Sequence, residues 1–281
     1  MSARRQAVLL LVPAILLLIA LVGGAQALMM IASLGRRSAY GGVVHDWGLQ
    51  NYLRTLQPLY LRVLGRSVLL AAVTTAVCLV VGYPVAYWLA RRAPPSGRRA
   101  LLVLVILPFW TSFLVRMYAW VFLLRTEGLV NLGLAALGLP ALNLLYNPAA
   151  VLLGQVYGEL PFIILPLYAS LEKLPAELLD AAADLGASPA QVIRQVVLPL
   201  TRPGLAAGAI LVFIPSLGAY LAPDLLGGAR VVYIGSLIQS QFAVARDIPF
   251  GAALSFTLSA LVLLGLLALR RPLAAGTTAP E

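Results

Sequence analysis

Glu159 has the most chemistry to offer, because it is an acid inside a run of apolar residues from Pro148 to Leu171. At ~1.5 Å per residue it lies about 17 Å into that run, near the middle of a bilayer. An ionised carboxylate at that depth costs roughly 2.5 to 3.5 kcal/mol on insertion scales, so Glu159 must face protein or water. Two readings stand: a carboxylate in a cavity that receives a passing cation, or a hydrogen-bonded acid that ties helices together. Trp110, Tyr118, Trp120 and Tyr220 could offer π faces to an ammonium group, worth roughly 0.5 to 2 kcal/mol each. Interface belts and helix packing account for such aromatics equally well. Trp110 and Tyr220 are the stronger of the four as pathway residues. Ser216, near Tyr220, is the nearest approach to a nucleophile, and it has no partner base.

The second constellation is polar and local. Glu177, Asp180 and Asp184 fall in one short segment of a chain that holds only 10 acids. Leu174-Pro175 places a proline at the first turn of a helix, and Gly186 supplies the left-handed position that ends it. Ser188-Pro189-Ala190-Gln191 then starts a second helix with a capping box, and Pro199 and Pro203 are expected to stop it. A hairpin this well capped and this acidic, spanning residues 175–198, has the form of a surface docked by another protein. Glu177, Asp180, Ala181, Ala182, Asp184, Leu185, Gly186, Ala187 and Ser188 are its expected contact residues.

Several chemistries lack their residues. No G-x-x-x-x-G-K-[S/T] loop exists, and the one lysine, Lys173, follows Glu172, so this chain is not expected to hydrolyse ATP by itself. One histidine, His45, and no Cys-x-x-Cys leave no metal cage and no cofactor site. Cys78 is the single cysteine, which rules out an intrachain disulfide and leaves packing as its role. The net charge of +10 is dispersed along the chain, whereas a nucleic-acid footprint needs a clustered face.

The elements that must position these residues are membrane helices. The chain is 61% hydrophobic and 11% charged, against about 25% charged in soluble domains. Six apolar stretches are long enough to cross about 30 Å of hydrocarbon: Ala7 to Ile31, Val63 to Ala90, Ala100 to Leu124, Pro148 to Leu171, Pro203 to Leu221 and Pro249 to Leu269. The first could be read as a signal peptide, since Ala25-Gln26-Ala27 resembles a cleavage site, but its apolar run is too long and an uncleaved anchor is expected. The predicted fold is all-α and polytopic, with an N-terminal helix and outer loop at 1–62 and a core at 63–281.

Basic residues set the orientation. Arg4, Arg5, Arg91, Arg92, Arg98, Arg99, Lys173, Arg194, Arg202, Arg270 and Arg271 all fall on one side if both termini are cytoplasmic. Arg116 is placed by its depth as an anchor reaching the outer interface. Asp224, Arg246 and Asp247 then lie at the outer mouth, where polar residues either solvate loop ends or form a docking surface. Gly204, Ala206, Ala207, Gly208 and Ala209 permit close helix approach in the fifth span.

The hairpin carries a family resemblance. Asp180, Ala181, Ala182, Gly186, Leu198 and Pro199 match the acid-Ala-Ala signature of bacterial ABC importer permeases of type I, with Asp180 in place of the usual Glu. Further segments resemble the permeases of spermidine/putrescine importers. Among them are Gly82-Tyr83-Pro84, the run from Leu107 to Trp120 through Pro108-Phe109-Trp110, Leu160-Pro161-Phe162, Pro223-Asp224-Leu225 and Pro249-Phe250-Gly251.

The resemblance implies a multi-pass protein of the bacterial inner membrane. It implies a second permease subunit, two ATPase subunits that hold ATP and magnesium and contact the hairpin, and an extracytoplasmic binding protein that delivers cargo. Permeases of this kind also serve iron, thiamine, sulfate and phosphonate. A self-contained secondary transporter, the competing class, needs ionisable groups in several spans or inverted repeats, and the chain places one acid deep.

Overall fold

The computed structural model describes residues 3–38, 42–44, 46–228 and 230–275. Expectations resting on His45 and on the side chains of Arg4, Arg5, Arg270 and Arg271 lie outside the described residues. In chain order the helices are α1 (Ala3–Leu18), α2 (Gly24–Ser33), α3 (Gln50–Thr55), α4 (Pro58–Arg91), α5 (Pro95–Ile106), α6 (Phe113–Leu124), α7 (Leu129–Ala136) and α8 (Pro148–Glu172). They continue as α9 (Ala176–Asp184), α10 (Pro189–Val192), α11 (Leu198–Leu200), α12 (Arg202–Gly218), α13 (Leu221–Gly227), α14 (Ile234–Ala243) and α15 (Ile248–Ala275). Arg36–Arg37 (β1) and Val43–Val44 (β2) form a small antiparallel pair.

Two compact units divide the chain: residues 1–62 with 237–281, and residues 63–236. The sequence reading gave 237–281 to the core, whereas here these residues pack with the N-terminal segment. In that first unit, α1, a wide turn at Ile19–Gly23 and α2 make one apolar rod, and α2 lies against α15. Asn51 Nδ2 donates to the carbonyls of Ser33 and Gly35, each at 2.8 Å, which fixes α3 to the end of α2. Arg54 on α3 donates to Asp247 Oδ2 at 2.9 Å and lies 3.8 Å from the Phe250 ring centre. Burial works against the Arg54 charge, and hydrogen bonds to Tyr60 and Asp247 outweigh it, so its pKa rises above the ordinary arginine value.

The second unit is built around α8. Ile163, fully buried, sits between two glycines: a Cβ at Gly82 of α4 would lie 2.6 Å from its Cγ2, and one at Gly208 of α12 would lie 3.3 Å from its Cα. A Cβ at Gly204 would meet the Ser170 side chain at 2.6 Å, so the small face of α12 lies directly on α8. In a bilayer, where apolar surface alone gives no preference for helix over lipid, such close approach is what holds spans together. Pro161 and Pro166 fall inside α8 without breaking it.

Two expected spans take different forms. The stretch from Ala100 to Leu124 is interrupted: α5 ends at Ile106, a single tight turn covers Leu107–Trp110, and Thr111 and Ser112 are extended before α6 begins. Pro108 withholds an N–H from the α5 ladder, and the chain leaves the helix there. The apolar span instead runs from Phe113 to Ala136 through α6 and α7. The fifth span is likewise a bent pair, Pro189–Leu200 and Arg202–Gly218, turning by 69°.

Pro199 does not stop the second hairpin helix as expected. A wide turn at Ile193–Val197 precedes α11, which carries Pro199, and the helix ends at Thr201. Pro203 then sits in the first turn of α12, unable to donate back to the Pro199 carbonyl, and the axis bends. The buried Thr201 hydroxyl lies 3.2 Å from that of Tyr83 on α4, which pins the bend. Counting the bent pair as one crossing, the described residues hold six helical crossings of sufficient length and apolarity.

Candidate functional site

The middle of α8, the end of α12, the start of α13 and the start of α6 line an open cavity of about 280 Å³, bounded by Phe113, Gln155, Glu159, Gly218, Ala219, Tyr220 and Leu221. Two glycines of α8 allow this arrangement. A Cβ at Gly158 would lie 2.7 Å from Phe113 Cε2, and one at Gly154 would press on Leu226 of α13 and lie 3.2 Å from Met117 Sδ of α6. Gly154-x-x-x-Gly158 thus brings α6 and α13 onto the same face of α8 that carries Gln155 and Glu159. The α12 helix stops at Gly218, Ala219 is extended, and Tyr220 precedes α13, so this break turns Tyr220 into the cavity wall.

Three polar side chains of this region carry buried atoms without protein partners. Glu159 is 8% exposed and its Oε2 makes no hydrogen bond in the protein. Gln155, one helical turn earlier and 1% exposed, makes none at either Oε1 or Nε2. Ser216 Oγ, two residues before the lining Gly218, is also buried and unpaired. Buried polar atoms are nearly always satisfied, so this cluster has the character of a site for water or for a polar ligand. A carboxylate accepts only, an amide both donates and accepts, and together they suit a cation that carries N–H donors.

Arg116, expected as an interfacial anchor, lies near the start of the Phe113–Ala136 span and among aromatic rings. It belongs to the first turn of α6, its amide donating to Ser112 O, because the helix begins only at Phe113. Its guanidinium carbon lies 5.2 Å from the Phe109 ring centre, 5.3 Å from Phe113 and 5.9 Å from Tyr157. Nε and Nη1 are buried without an acceptor.

The structure thus brings Glu159 and Tyr220 together and adds Gln155 and Phe113, while Ser216 is not among the lining residues. The sequence reading does not single out Gln155, although its place one turn before Glu159 was the available signal, and Phe113 arrives through a tertiary contact. Trp110 is not among the lining residues; it ends the tight turn and is 81% exposed.

The hairpin follows α8. Pro175 is the N-cap of α9, one residue ahead of the expected first turn. Gly186 has φ +83°, its amide donates to Ala183 O at 2.8 Å, and that of Ala187 donates to Ala182 O at 3.1 Å. These two bonds are a Schellman ending. Ser188 and Gln191 close the capping box on α10. Leu174, Leu179 and Val192 pack inward, and Arg91 Nη2 donates to Leu174 O at 2.7 Å, fastening the hairpin to α4. Glu177, Asp180, Ala181, Asp184, Leu185, Gly186 and Ser188 face outward, with Ala182 and Ala187 half-buried and Leu185 89% exposed.

Of the three expected docking residues, Asp224 on α13 and Arg246 are exposed. Asp247 is a correction. It is buried, pairs with Arg54, and its Oδ1 accepts from the Phe250 amide at 3.3 Å as the N-cap of α15, so its acceptors are spent inside the first unit.

Residues 82–271, which include α8, the cavity and the hairpin, match the family described as binding-protein-dependent transport system inner membrane component. The chain belongs to this family. It is a multi-pass inner membrane component of a transport system. It is 46% identical over 223 residues to the spermidine/putrescine transport system permease protein PotB of Escherichia coli K12, covering 79% of this chain and 80% of that protein. PotB of Haemophilus influenzae is 42% identical over 218 residues, 77% of this chain and 76% of that protein. The molybdenum transport system permease protein ModB of Mycobacterium bovis is 32% identical over 210 residues, 71% of this chain and 75% of that protein.

Solved structures share the fold. A bacterial ABC transporter involved in the import of the acidic polysaccharide alginate aligns with TM-score 0.79 at 16% identity, over 98% of both chains. The MetNI methionine ABC transporter aligns with TM-score 0.57 at 20% identity, over 77% of this chain and 95% of that one. The fold is that of a type I ABC importer permease.

Proposed function

We propose that this chain forms half of the translocation pathway of an ATP-driven importer whose cargo is a polyamine, spermidine or putrescine. The observation that carries this reading is the Glu159 cavity, a buried carboxylate with no hydrogen bond at Oε2 beside the unpaired amide of Gln155 and the ring of Tyr220. A protonated amine brings the positive charge and the N–H donors that these groups lack. The relatives named for spermidine and putrescine support the same cargo.

In this reading a second permease subunit completes the pathway. Two ATPase subunits hold ATP and magnesium, hydrolyse the nucleotide and seat on the hairpin through Glu177, Asp180, Asp184 and Leu185, so this chain performs no bond chemistry. An extracytoplasmic binding protein delivers the cargo at a surface that includes Asp224 and Arg246. The hairpin and both termini lie in the cytoplasm. Closure of the ATPase subunits pushes the hairpin, and α8, joined to it through the short link at residues 173–175, carries the motion to Glu159, thirteen residues before the helix ends at Glu172.

The test is Glu159→Gln in the reconstituted importer, which keeps shape and removes charge. Uptake of labelled spermidine at subsaturating concentration should fall at least about tenfold, equivalent to about 1.4 kcal/mol, while the partner subunits still copurify. Unchanged uptake kinetics in the fully assembled complex overturns the assignment of the pathway to Glu159.

A further inference from the structure

The side of the protein away from the hairpin carries arginines that no carboxylate answers. Arg91, the last residue of α4, is fastened to the hairpin through Leu174 O, and Arg66 lies twenty-five residues earlier, about 37 Å along the helix. That distance exceeds the ~30 Å of hydrocarbon and sets Arg66 at the level of the opposite headgroups. Arg230, in the segment between α13 and α14, shares a groove of about 480 Å³ with it. Both arginines are exposed, and neither forms an ion pair among the described residues.

The two are brought together by a buried contact. Ser67 Oγ, next to Arg66 in the chain, donates to Val63 O at 2.9 Å and accepts from the Ile234 amide at 2.7 Å, so the segment after Arg230 is clamped to α4. Tyr233, 5% exposed, packs in the same core cluster as Leu70. From the arginines the groove runs toward the middle of the membrane. Leu69 and Val73 follow Arg66 by three and seven residues on one face of α4, reaching about 10 Å deeper, and Leu152 of α8 faces them across the groove. Leu69 is 64% exposed and Val73 37%, so protein leaves this furrow uncovered.

Guanidinium groups bind phosphate oxygens through paired, charge-assisted hydrogen bonds, and an apolar furrow at membrane depth takes a hydrocarbon chain. A protein carboxylate or a free phosphate would answer the arginines and leave the furrow empty. Snorkelling from a span accounts for Arg66 by itself, whereas Arg230 belongs to no span. Arg230 also lines a second cavity of about 400 Å³, with Arg125, Thr126 and Asn143. The surroundings of a bound phosphate are therefore cationic and hydrogen-bonding, which disfavours a headgroup that carries its own ammonium.

We propose that the groove between α4, α8 and the 230–233 segment is a binding site for an anionic phospholipid, with its phosphate held by Arg66 and Arg230 and one acyl chain along Leu69, Val73 and Leu152. The lipid then bridges two helices and a loop that are otherwise joined there through Ser67, and it steadies the end of the second unit away from the hairpin.

The test uses the transport complex purified from membranes in detergent. It is titrated with dioleoylphosphatidylglycerol, and bound lipid is counted by native mass spectrometry. Dioleoylphosphatidylcholine, which has the same chains on a zwitterionic headgroup, is the comparison. Wild type should half-saturate with phosphatidylglycerol at a several-fold lower concentration than with phosphatidylcholine. Arg66→Gln and Arg230→Gln should each raise the phosphatidylglycerol concentration several-fold and leave that for phosphatidylcholine unchanged. Val73→Trp, which fills the furrow and keeps both charges, should also weaken phosphatidylglycerol several-fold. Inorganic phosphate in excess should not displace the lipid.

Equal half-saturation by the two lipids in wild type, or an unchanged value in both arginine variants, overturns the proposal. Displacement by inorganic phosphate, or full lipid affinity in Val73→Trp, reduces the groove to an anion site and overturns it as well. Loss of another subunit from the arginine variants assigns the two charges to a protein contact and has the same result. Both arginines are exposed, so their variants are expected to fold; should one fail to, the other and Val73→Trp still decide between these outcomes.

Discussion

Asp224 and Asp247 read alike in the sequence, each an acid close to a proline at the end of an apolar stretch, and the fold gives them opposite surroundings. Asp224 is exposed on the first turn of α13, while Asp247 is buried, paired with Arg54 and capping α15. Replacing Asp247 by Ala removes a cap and leaves Arg54 without its acceptor, a loss of about 1–2 kcal/mol. The purified protein should therefore melt several degrees lower, whereas Asp224→Ala should melt as wild type. Equal melting temperatures for the two variants would show that the Asp247 contacts carry no stability. Nothing in the local sequence distinguishes these acids, because the partner of Asp247 lies 193 positions away in the chain. Glu159 was more legible, since an acid on an apolar helix needs no tertiary information to be noticed; Gln155, one turn earlier, went unremarked because an uncharged amide stands out less.

At the scale of the element, the hairpin was almost wholly written in its own residues. Gly186, the Ser188–Gln191 box and Pro175 act within a few positions of themselves, so local rules predict them. The Gly186 position tests this directly, because a Cβ there would meet nothing within 4 Å while φ is +83°. Gly186→Val should cost about 1–2 kcal/mol through backbone strain alone. ATPase activity stimulated by loaded binding protein should fall in that variant, and membrane insertion should survive. Gly186→Asn should stay near wild type, since Asn tolerates the left-handed region. Similar losses for Val and Asn would point to a contact made by the glycine itself in place of a backbone requirement. The broken third stretch and the bent fifth were less legible. Pro108, Pro199 and Pro203 each announce trouble for a helix, but whether the chain kinks, widens or stops depends on what packs nearby, as with Tyr83 on Thr201.

For the whole molecule, orientation decides which side of the membrane the hairpin faces, and the chain supplies a clean background for measuring it. Cys78 is its one cysteine and is fully buried, so an introduced thiol stands alone to a membrane-impermeant maleimide. Asp184→Cys should be labelled in inside-out vesicles and protected in intact cells. Labelling from outside would reverse the placement of the hairpin and with it the seat of the ATPase subunits.

Composition and local pattern suffice for an all-α membrane protein, the approximate extent of most spans, the capped acidic hairpin and the depth of Glu159 in its apolar run. Each depends on composition or on neighbours within a turn or two, where hydrophobic period, proline and glycine act directly. Tertiary packing supplies the wall that Phe113 and Tyr220 share with Glu159, the rings around Arg116, and the packing of residues 237–281 with the N-terminal helices. Those outcomes follow from close approach at Gly154, Gly158, Gly204 and Gly208, and a small residue permits a contact without naming the residue it will meet.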